Sequence, residues 1–276
     1  MMMNDTALYT YLVLASFCIG SFLNVVIYRL PKKLAFQWER ASRDTLGITP
    51  DKPITKPFSL SFPASHCPCC KAPIRPWQNI PLISYLLLRG KCGHCKTHIS
   101  FRYPAVELAA GLLGILCLYQ FGATIQGVSA ILFCHTLLAL TLIDLDTQLL
   151  PDMLTLPLLW AGLLLNSVGT YVPLNEAVWG AAAGYLVLRS LYEGHKLMTG
   201  REGMGHGDFK LLAALGAWLG WQSLWGIIVV AASSGLVIAL AARFVSKSPG
   251  GPQIAFGPYL AVGGMISLFF GEYLLL

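Results

Sequence analysis

Eight apolar stretches follow one another along the chain, roughly Ala7 to Tyr28, Ala105 to Phe121, Ile125 to Ile143, Met153 to Val172, Ala177 to Tyr192, Phe209 to Leu219, Leu224 to Phe244 and Tyr259 to Leu275. A membrane-spanning helix needs about 20 predominantly apolar residues. The run from Phe209 is short for that purpose, although Gly220 lets it continue toward Gln222. A chain that is 55% hydrophobic and 12% charged, with a mean hydropathy of +0.63, is not a water-soluble enzyme, where about a quarter of residues are charged. The apolar content excludes disorder, the lack of a glycine period excludes collagen, and 8 Cys spread over 276 residues exclude a small disulfide scaffold. The reading is an all-α polytopic membrane protein of about eight transmembrane helices. Its first helix covers residues 1–28, a polar loop domain covers 29–103, and seven helices form a membrane domain over 104–276.

The placement of charge orients these helices. When the connections are assigned alternately to two sides, all 19 Lys and Arg fall on one side. The other side receives the N-terminal tail, the turns near Gly122, Thr170 and Trp221, and the C-terminus, with Asp5, Glu176 and Glu272. By the positive-inside rule the basic side is the cytoplasm, so the N-terminus is expected outside. The first run is expected to remain as helix one, because basic residues follow it and no small-residue cleavage site closes it. Cytoplasmic parts are then the loop from Arg29 to Tyr103, a short loop around Asp144 to Asp152, a glycine-rich loop from Gly194 to Asp208, and a Pro/Gly linker from Lys247 to Pro258.

Within the large loop, Cys67-Pro68-Cys69-Cys70 and Cys92-Gly93-His94-Cys95 form two Cys-x-x-Cys knuckles separated by 21 residues. In a reducing compartment disulfides do not persist, whereas four thiolates on two tight turns suit tetrahedral zinc. A structural zinc is expected on Cys67, Cys70, Cys92 and Cys95, with no open position for catalysis. His66 and His94 read as neighbours held by outer hydrogen bonds, and Cys69 is an alternative to Cys67 or Cys70. Cys18, Cys117 and Cys134 read as small buried apolar residues.

Acidic residues inside or bordering apolar runs call for a reason. Asp152 follows a proline and opens the fourth run, as a helix N-cap does. Asp146 lies about 200° around a helix from Asp144 and reads as a solvated acid. Asp208, in Gly205-His206-Gly207-Asp208, suits an N-cap and a catalytic acid equally. Asp144 sits near a helix C-terminus among Leu142, Ile143 and Leu145, where the dipole disfavours a negative charge and no structural need for an acid exists. Two carboxylates at one depth on separate helices meet the requirement of aspartyl proteolysis, in which one takes a proton from water and the other polarises the scissile carbonyl. Helix ends alone assign Asp208 the base role and Asp144 the acid role. The glycines before Asp208 would admit a peptide backbone closely, while the lack of a Gly-Lys-Ser/Thr ending excludes a phosphate loop.

These residues carry a family resemblance. Gly205-His206-Gly207-Asp208 with Leu142-Ile143-Asp144-Leu145-Asp146 and Leu150-Pro151-Asp152 resembles the bacterial type IV prepilin peptidases, as do Gly20 to Pro31, the cysteine box, Asn79-Ile80-Pro81 and Arg89-Gly90-Lys91-Cys92. The resemblance implies an inner-membrane enzyme that removes the basic leader of prepilins and pseudopilins after a glycine, at the cytoplasmic face, with Asp144 and Asp208 as catalytic aspartates. It also implies S-adenosylmethionine-dependent methylation of the new N-terminal amine, with Gly90 beside the second knuckle as the candidate cofactor site. The implied partners are the prepilin substrates and the lipid bilayer, with no nucleic acid. Two other enzyme-free readings stand beside it: a proton-coupled transporter using Asp144 and Asp208 as relay acids, and a zinc-dependent scaffold for a secretion machine. A presenilin-like protease shares the Gly-x-Gly-Asp pattern but not the zinc loop.

Overall fold

The computed structural model describes residues 2–47, 59–200, 204–245 and 255–274. Lys52, Lys56, Arg201, Gly203, Lys247 and most of the Lys247–Pro258 linker therefore lie outside the described residues. The described chain is helical: α1 (Met2–Leu46), a 3-10 turn (Pro76–Asn79), α2 (Ile83–Leu87), α3 (Arg102–Phe121), α4 (Ile125–Thr147), α5 (Asp152–Ser167), α6 (Leu174–Thr199), α7 (His206–Leu219), α8 (Ser223–Val245) and α9 (Gly257–Leu274). The eight long helices coincide with the eight apolar runs. Four are both long and apolar enough to cross a membrane, over Thr6–Leu46, Arg102–Phe121, Ile125–Thr147 and Ser223–Ala241. The chain divides into two compact units, Met1–His135 and Thr136–Leu276.

In the first unit α1 does not stop at Tyr28, as the apolar pattern suggests, but continues to Leu46. Proline 31 removes only the bond that its missing N–H would make one turn back. The extension keeps helical side-chain pairs: Lys32 lies over the Tyr28 ring at 3.6 Å from its centroid, and Glu39–Arg43 and Arg40–Asp44 are i,i+4 ion pairs. The polar stretch from Arg29 to Leu46 is thus part of α1. Small residues bring α1 and α3 together. A Cβ on Gly20 would stand 2.8 Å from the Ala110 Cβ and 3.0 Å from the Glu107 backbone, while Gly111 and Gly114 lie beneath Phe17 and Ser16. Cys117 and Cys134 are buried as expected, but Cys18 is exposed on the outer face of α1.

The second unit is built around α7. This helix is apolar on all sides, every residue from Leu211 to Gly220 is buried, and α5, α6, α8 and α9 all pack against it. Such a helix belongs in a core. Gly180 of α6 and Gly216 of α7 each occupy the space that the other's Cβ would need. Asn166 closes the far end of α7 by donating to the carbonyls of Ala217 (2.8 Å) and Trp218 (3.1 Å) and accepting from the N–H groups of Tyr171 and Val172. Here α7 ends at Leu219, with Gly220 at φ +80, so it does not extend to Gln222. Trp218 fixes α5 alongside through a 2.7 Å bond from its indole N–H to the Leu158 carbonyl.

Candidate active site and metal centre

Asp144 occupies the last turn of α4, whose end is marked by Gln148 at φ +54 with its N–H on the Asp144 carbonyl at 2.8 Å. The side chain is 5% exposed, and its Oδ2 accepts from the N–H of Gly257 at 3.0 Å. Gly257 is the first residue of α9. The carboxylate thus meets a helix N-terminus, which favours negative charge. Sequence reasoning read this stretch as linker and missed the donor. The glycine is required here: a Cβ would lie 2.5 Å from Asp144 Oδ2 and 3.1 Å from Leu150 Cδ2.

Asp208 is 6% exposed and stands at the third position of α7. The N-cap is Gly205, and no side chain caps the helix, so Asp208 is not the cap. The two aspartates lie within electrostatic reach of each other. Leu150 covers Gly207, next to Asp208, at 2.7 Å from the position of a Cβ, and borders Gly257, the donor to Asp144. Gly207 therefore serves the seating of Leu150, a packing role where the sequence suggested room for a peptide. Gly205 leaves only ordinary contact distance to Asp208. Because Asp208 and Asp144 both face helix N-termini, the unequal roles inferred from α4 and α7 alone lose their basis.

The remaining acids separate from this pair. Asp146 is exposed. Asp152 is the first helical residue of α5, one position past the cap, and forms no cap bond. Its carboxylate instead receives Lys210 Nζ of α7 at 2.7 Å on both oxygens. That ion pair ties the loop carrying Leu150 to the helix carrying Asp208. Lys210 had no periodic signal that distinguished it in the sequence.

In the first unit the four thiols of Cys67, Cys70, Cys92 and Cys95 gather, with all Sγ atoms within 4.8 Å of one another. Cys67 Sγ and Cys95 Sγ are 3.8 Å apart. A tetrahedron with Zn–S bonds of about 2.3 Å has edges of about 3.8 Å, so the donor set fits zinc. The two knuckles repeat one geometry. Cys67 N–H bonds Ala72 and Lys71 N–H bonds Cys67, just as Cys92 N–H bonds Thr97 and Lys96 N–H bonds Cys92. Lys71 and Lys96 both have φ 60. The Thr97 hydroxyl, 3.2 Å from Cys95 Sγ, and the Thr97 N–H pull the Cys95 thiol down to about 6, so a thiolate is ready for a metal. Backbone donors from Cys95 and His94 lower Cys92 as well. Cys69 is exposed and outside the cluster.

Gly90 has φ +67 and lies beneath Tyr85, whose hydroxyl oxygen would stand 2.9 Å from a Cβ there. Its N–H bonds the Tyr85 carbonyl and its carbonyl receives the Ile99 N–H. These constraints account for the glycine without a ligand. The Gly20–Pro31 stretch acts as a fastener. Asn24 donates to the Tyr103 carbonyl at 3.2 Å, and buried Arg29 holds the carbonyls of Ser59 and Leu60, both at 3.2 Å. Glu107 was missed by sequence reasoning: its carboxylate receives the N–H of Leu82 at 2.9 Å.

Comparison with known proteins bears on both units. Residues 14–121 match the bacterial peptidase A24 N-terminal domain, and residues 131–240 match the type IV leader peptidase family. The prepilin leader peptidase/N-methyltransferase of Stutzerimonas stutzeri is 50% identical over 254 residues, covering 92% of this chain and 88% of that protein. That of Pseudomonas aeruginosa is 48% identical over 260 residues (94% and 89%), and that of Neisseria gonorrhoeae 49% over 248 residues (90% and 85%). No solved structure gives a significant match. A buried aspartate pair, a four-cysteine cluster and identity of this extent along nearly the whole chain lead to one conclusion: the protein belongs to the type IV leader peptidase family.

Proposed function

We propose that the chain is a membrane aspartyl endopeptidase that removes the leader of type IV prepilins and pseudopilins after glycine, with Asp144 and Asp208 as its catalytic pair. The observation that carries this reading is the convergence of two buried carboxylates, from the end of α4 and the start of α7, within electrostatic reach. Buried neighbouring carboxylates share one negative charge more readily than they carry two. The ionised member takes a proton from water, whose oxygen attacks the scissile carbonyl carbon. The protonated member gives its proton to the carbonyl oxygen, giving a tetrahedral diol with no acyl-enzyme. Collapse of the diol breaks the C–N bond as the first carboxyl returns its proton to the leaving amine and the second, now ionised, takes one from a diol hydroxyl, which restores the pair. Because the charge is shared, the pair titrates as a unit.

The names of the relatives also support N-methylation of the newly exposed amine, with S-adenosylmethionine as methyl donor. The left-handed backbone of Gly90 and its cover by Tyr85 explain this glycine without a cofactor. Zinc on the four cysteines would fold the loop between α1 and α3 and supply no step of the chemistry. In the proposed topology the eight long helices all span the bacterial inner membrane, the N-terminus is periplasmic and the Lys/Arg-bearing loops are cytoplasmic.

The test incubates purified protein with a prepilin and S-adenosylmethionine and weighs the product. Loss of the leader mass and gain of one methyl group are expected. Leader cleavage by Asp144→Asn or Asp208→Asn protein at the unsubstituted rate would falsify the catalytic assignment.

A further inference from the structure

The short helix α2 carries a cluster of large apolar side chains that the described residues do not cover. Leu86 is 73% exposed and Leu87 is 72% exposed, with Ile83, Ile80 and Trp77 also open. Such side chains in the loop of a zinc-stabilised domain would be costly in water, at about 25 cal/mol for each Å² left wet. Two sets of bonds fix where α2 lies relative to α3. The Leu82 N–H, immediately before α2, bonds the Glu107 carboxylate at 2.9 Å, and the Tyr85 hydroxyl bonds the Ile99 carbonyl at 3.3 Å. Ile99 is three residues before α3 and Glu107 is five residues into it, about 7.5 Å along its axis. The helix is therefore held level with the first turn of a span-length apolar helix. The headgroup layer on each side of a bilayer is about 5–8 Å deep, which matches that level. Phe101, just before α3, and Tyr103 and Leu108 on it are exposed apolar side chains as well.

Charge singles out the occupant. From Lys52 to Val106 the chain holds eight Lys and Arg and no Asp or Glu. Among them Arg75, Arg89 and Lys91 flank the apolar cluster and are exposed. Even with four thiolates around a divalent ion this stretch stays positive. A basic rim on an apolar patch at headgroup depth is complementary to an anionic lipid surface.

We propose that α2 is an interfacial element, its Ile83, Leu86 and Leu87 side chains inserted among the lipids of the anionic cytoplasmic leaflet, with Arg75, Arg89 and Lys91 on the headgroups. The zinc knuckles on either side of it then act as a frame that presents this segment to the membrane. This inference rests on α3 crossing the bilayer and not on the identity of the catalytic pair.

The experiment uses full-length protein in vesicles of phosphatidylethanolamine and phosphatidylglycerol, with the photoreactive residue p-benzoylphenylalanine replacing Leu86, Ile83 or, as a comparison, Lys96 on the second knuckle. After illumination, intact-mass spectrometry reads adducts. Leu86 and Ile83 are expected to gain lipid masses at least fivefold more often than Lys96. Reversing charge with Arg89→Glu and Lys91→Glu is expected to cut the Leu86 adduct at least threefold in the same vesicles. Zinc content equal to that of the unsubstituted protein shows that each variant has kept its loop. Equal lipid labelling at Leu86 and Lys96, or a Leu86 adduct with a second copy of the chain or another polypeptide, overturns the proposal. A Leu86 adduct indifferent to charge reversal overturns its electrostatic part.

Discussion

The backbone N–H of Gly257 points at Asp144 from the first turn of α9, 3.0 Å from Oδ2, and nothing larger than hydrogen fits on the Gly257 Cα without displacing that carboxylate. Gly257→Ala is therefore expected to lower the leader-cleavage rate by about a hundredfold, the usual cost of moving a reacting group by about 1 Å. Methylation of a pre-cleaved pilin reports independently on folding and should persist. Cleavage by Gly257→Ala at the unsubstituted rate would show that the contact has no catalytic consequence.

Asn at Asp144 or Asp208 should abolish cleavage, whereas Asp146→Asn should leave it within about twofold. For Asp152→Asn a loss of about fivefold or less is expected, because the Lys210 pair is half open to solvent and such pairs contribute roughly 0–1 kcal/mol. Steady-state kinetics on a purified prepilin separate these classes. A complete loss in Asp152→Asn would instead make the Asp152–Lys210 pair indispensable to the arrangement of the site.

Replacing Cys92 or Cys95 by Ser should remove the metal and expose the loop to limited proteolysis, with cleavage of the leader retained. In metal-stripped protein, Cys95 should be the thiol of the four that reacts fastest with iodoacetamide at neutral pH. Its lowered value means the thiolate persists as pH falls from neutral until about 6 and is lost below that, so the alkylation rate should drop through this range. Thr97→Val removes the hydroxyl bond to the sulfur and should move the drop to higher pH. An unshifted profile would assign the lowering to another cause.

Gly216→Leu should unfold the second unit. The added side chain meets the Gly180 backbone, which cannot swing aside as a side chain can, and overpacking of this kind costs at least about 1–3 kcal/mol. Loss of folded protein on detergent-exchange chromatography is the readout; a normally eluting, active variant contradicts the close α6–α7 crossing.

The eight apolar runs identified the eight long helices because burial and lipid contact both demand continuous hydrophobicity, which is written locally. The ends were less legible. α1 passes Tyr28 because its extension is held by ion pairs and by contacts of Arg29, which carry no apolar signal. Pairing of the four cysteines followed from local spacing. The meeting of Asp144 and Asp208 followed from chemical need. By contrast, the Gly257 donor, Lys210 against Asp152 and Leu82 against Glu107 join residues 25 to 113 positions apart. Such contacts leave no periodicity, and the α9 N-terminus looked like linker because its Pro and Gly residues are what a helix start and a turn have in common.

With 14 residues, α7 is about 21 Å long, well short of a hydrocarbon layer of about 30 Å. A lipid-facing helix of that length would thin the bilayer or strain against it. From Leu211 to Gly220, however, α7 touches only protein, so any mismatch with the surrounding membrane falls on its neighbours. The height of Asp208 is consequently set by Asn166 and Trp218 at the opposite end of the helix, as a fixed ruler inside the wall. A change in acyl-chain length that tilts the outer helices therefore reaches Asp208 only through the protein packed around α7.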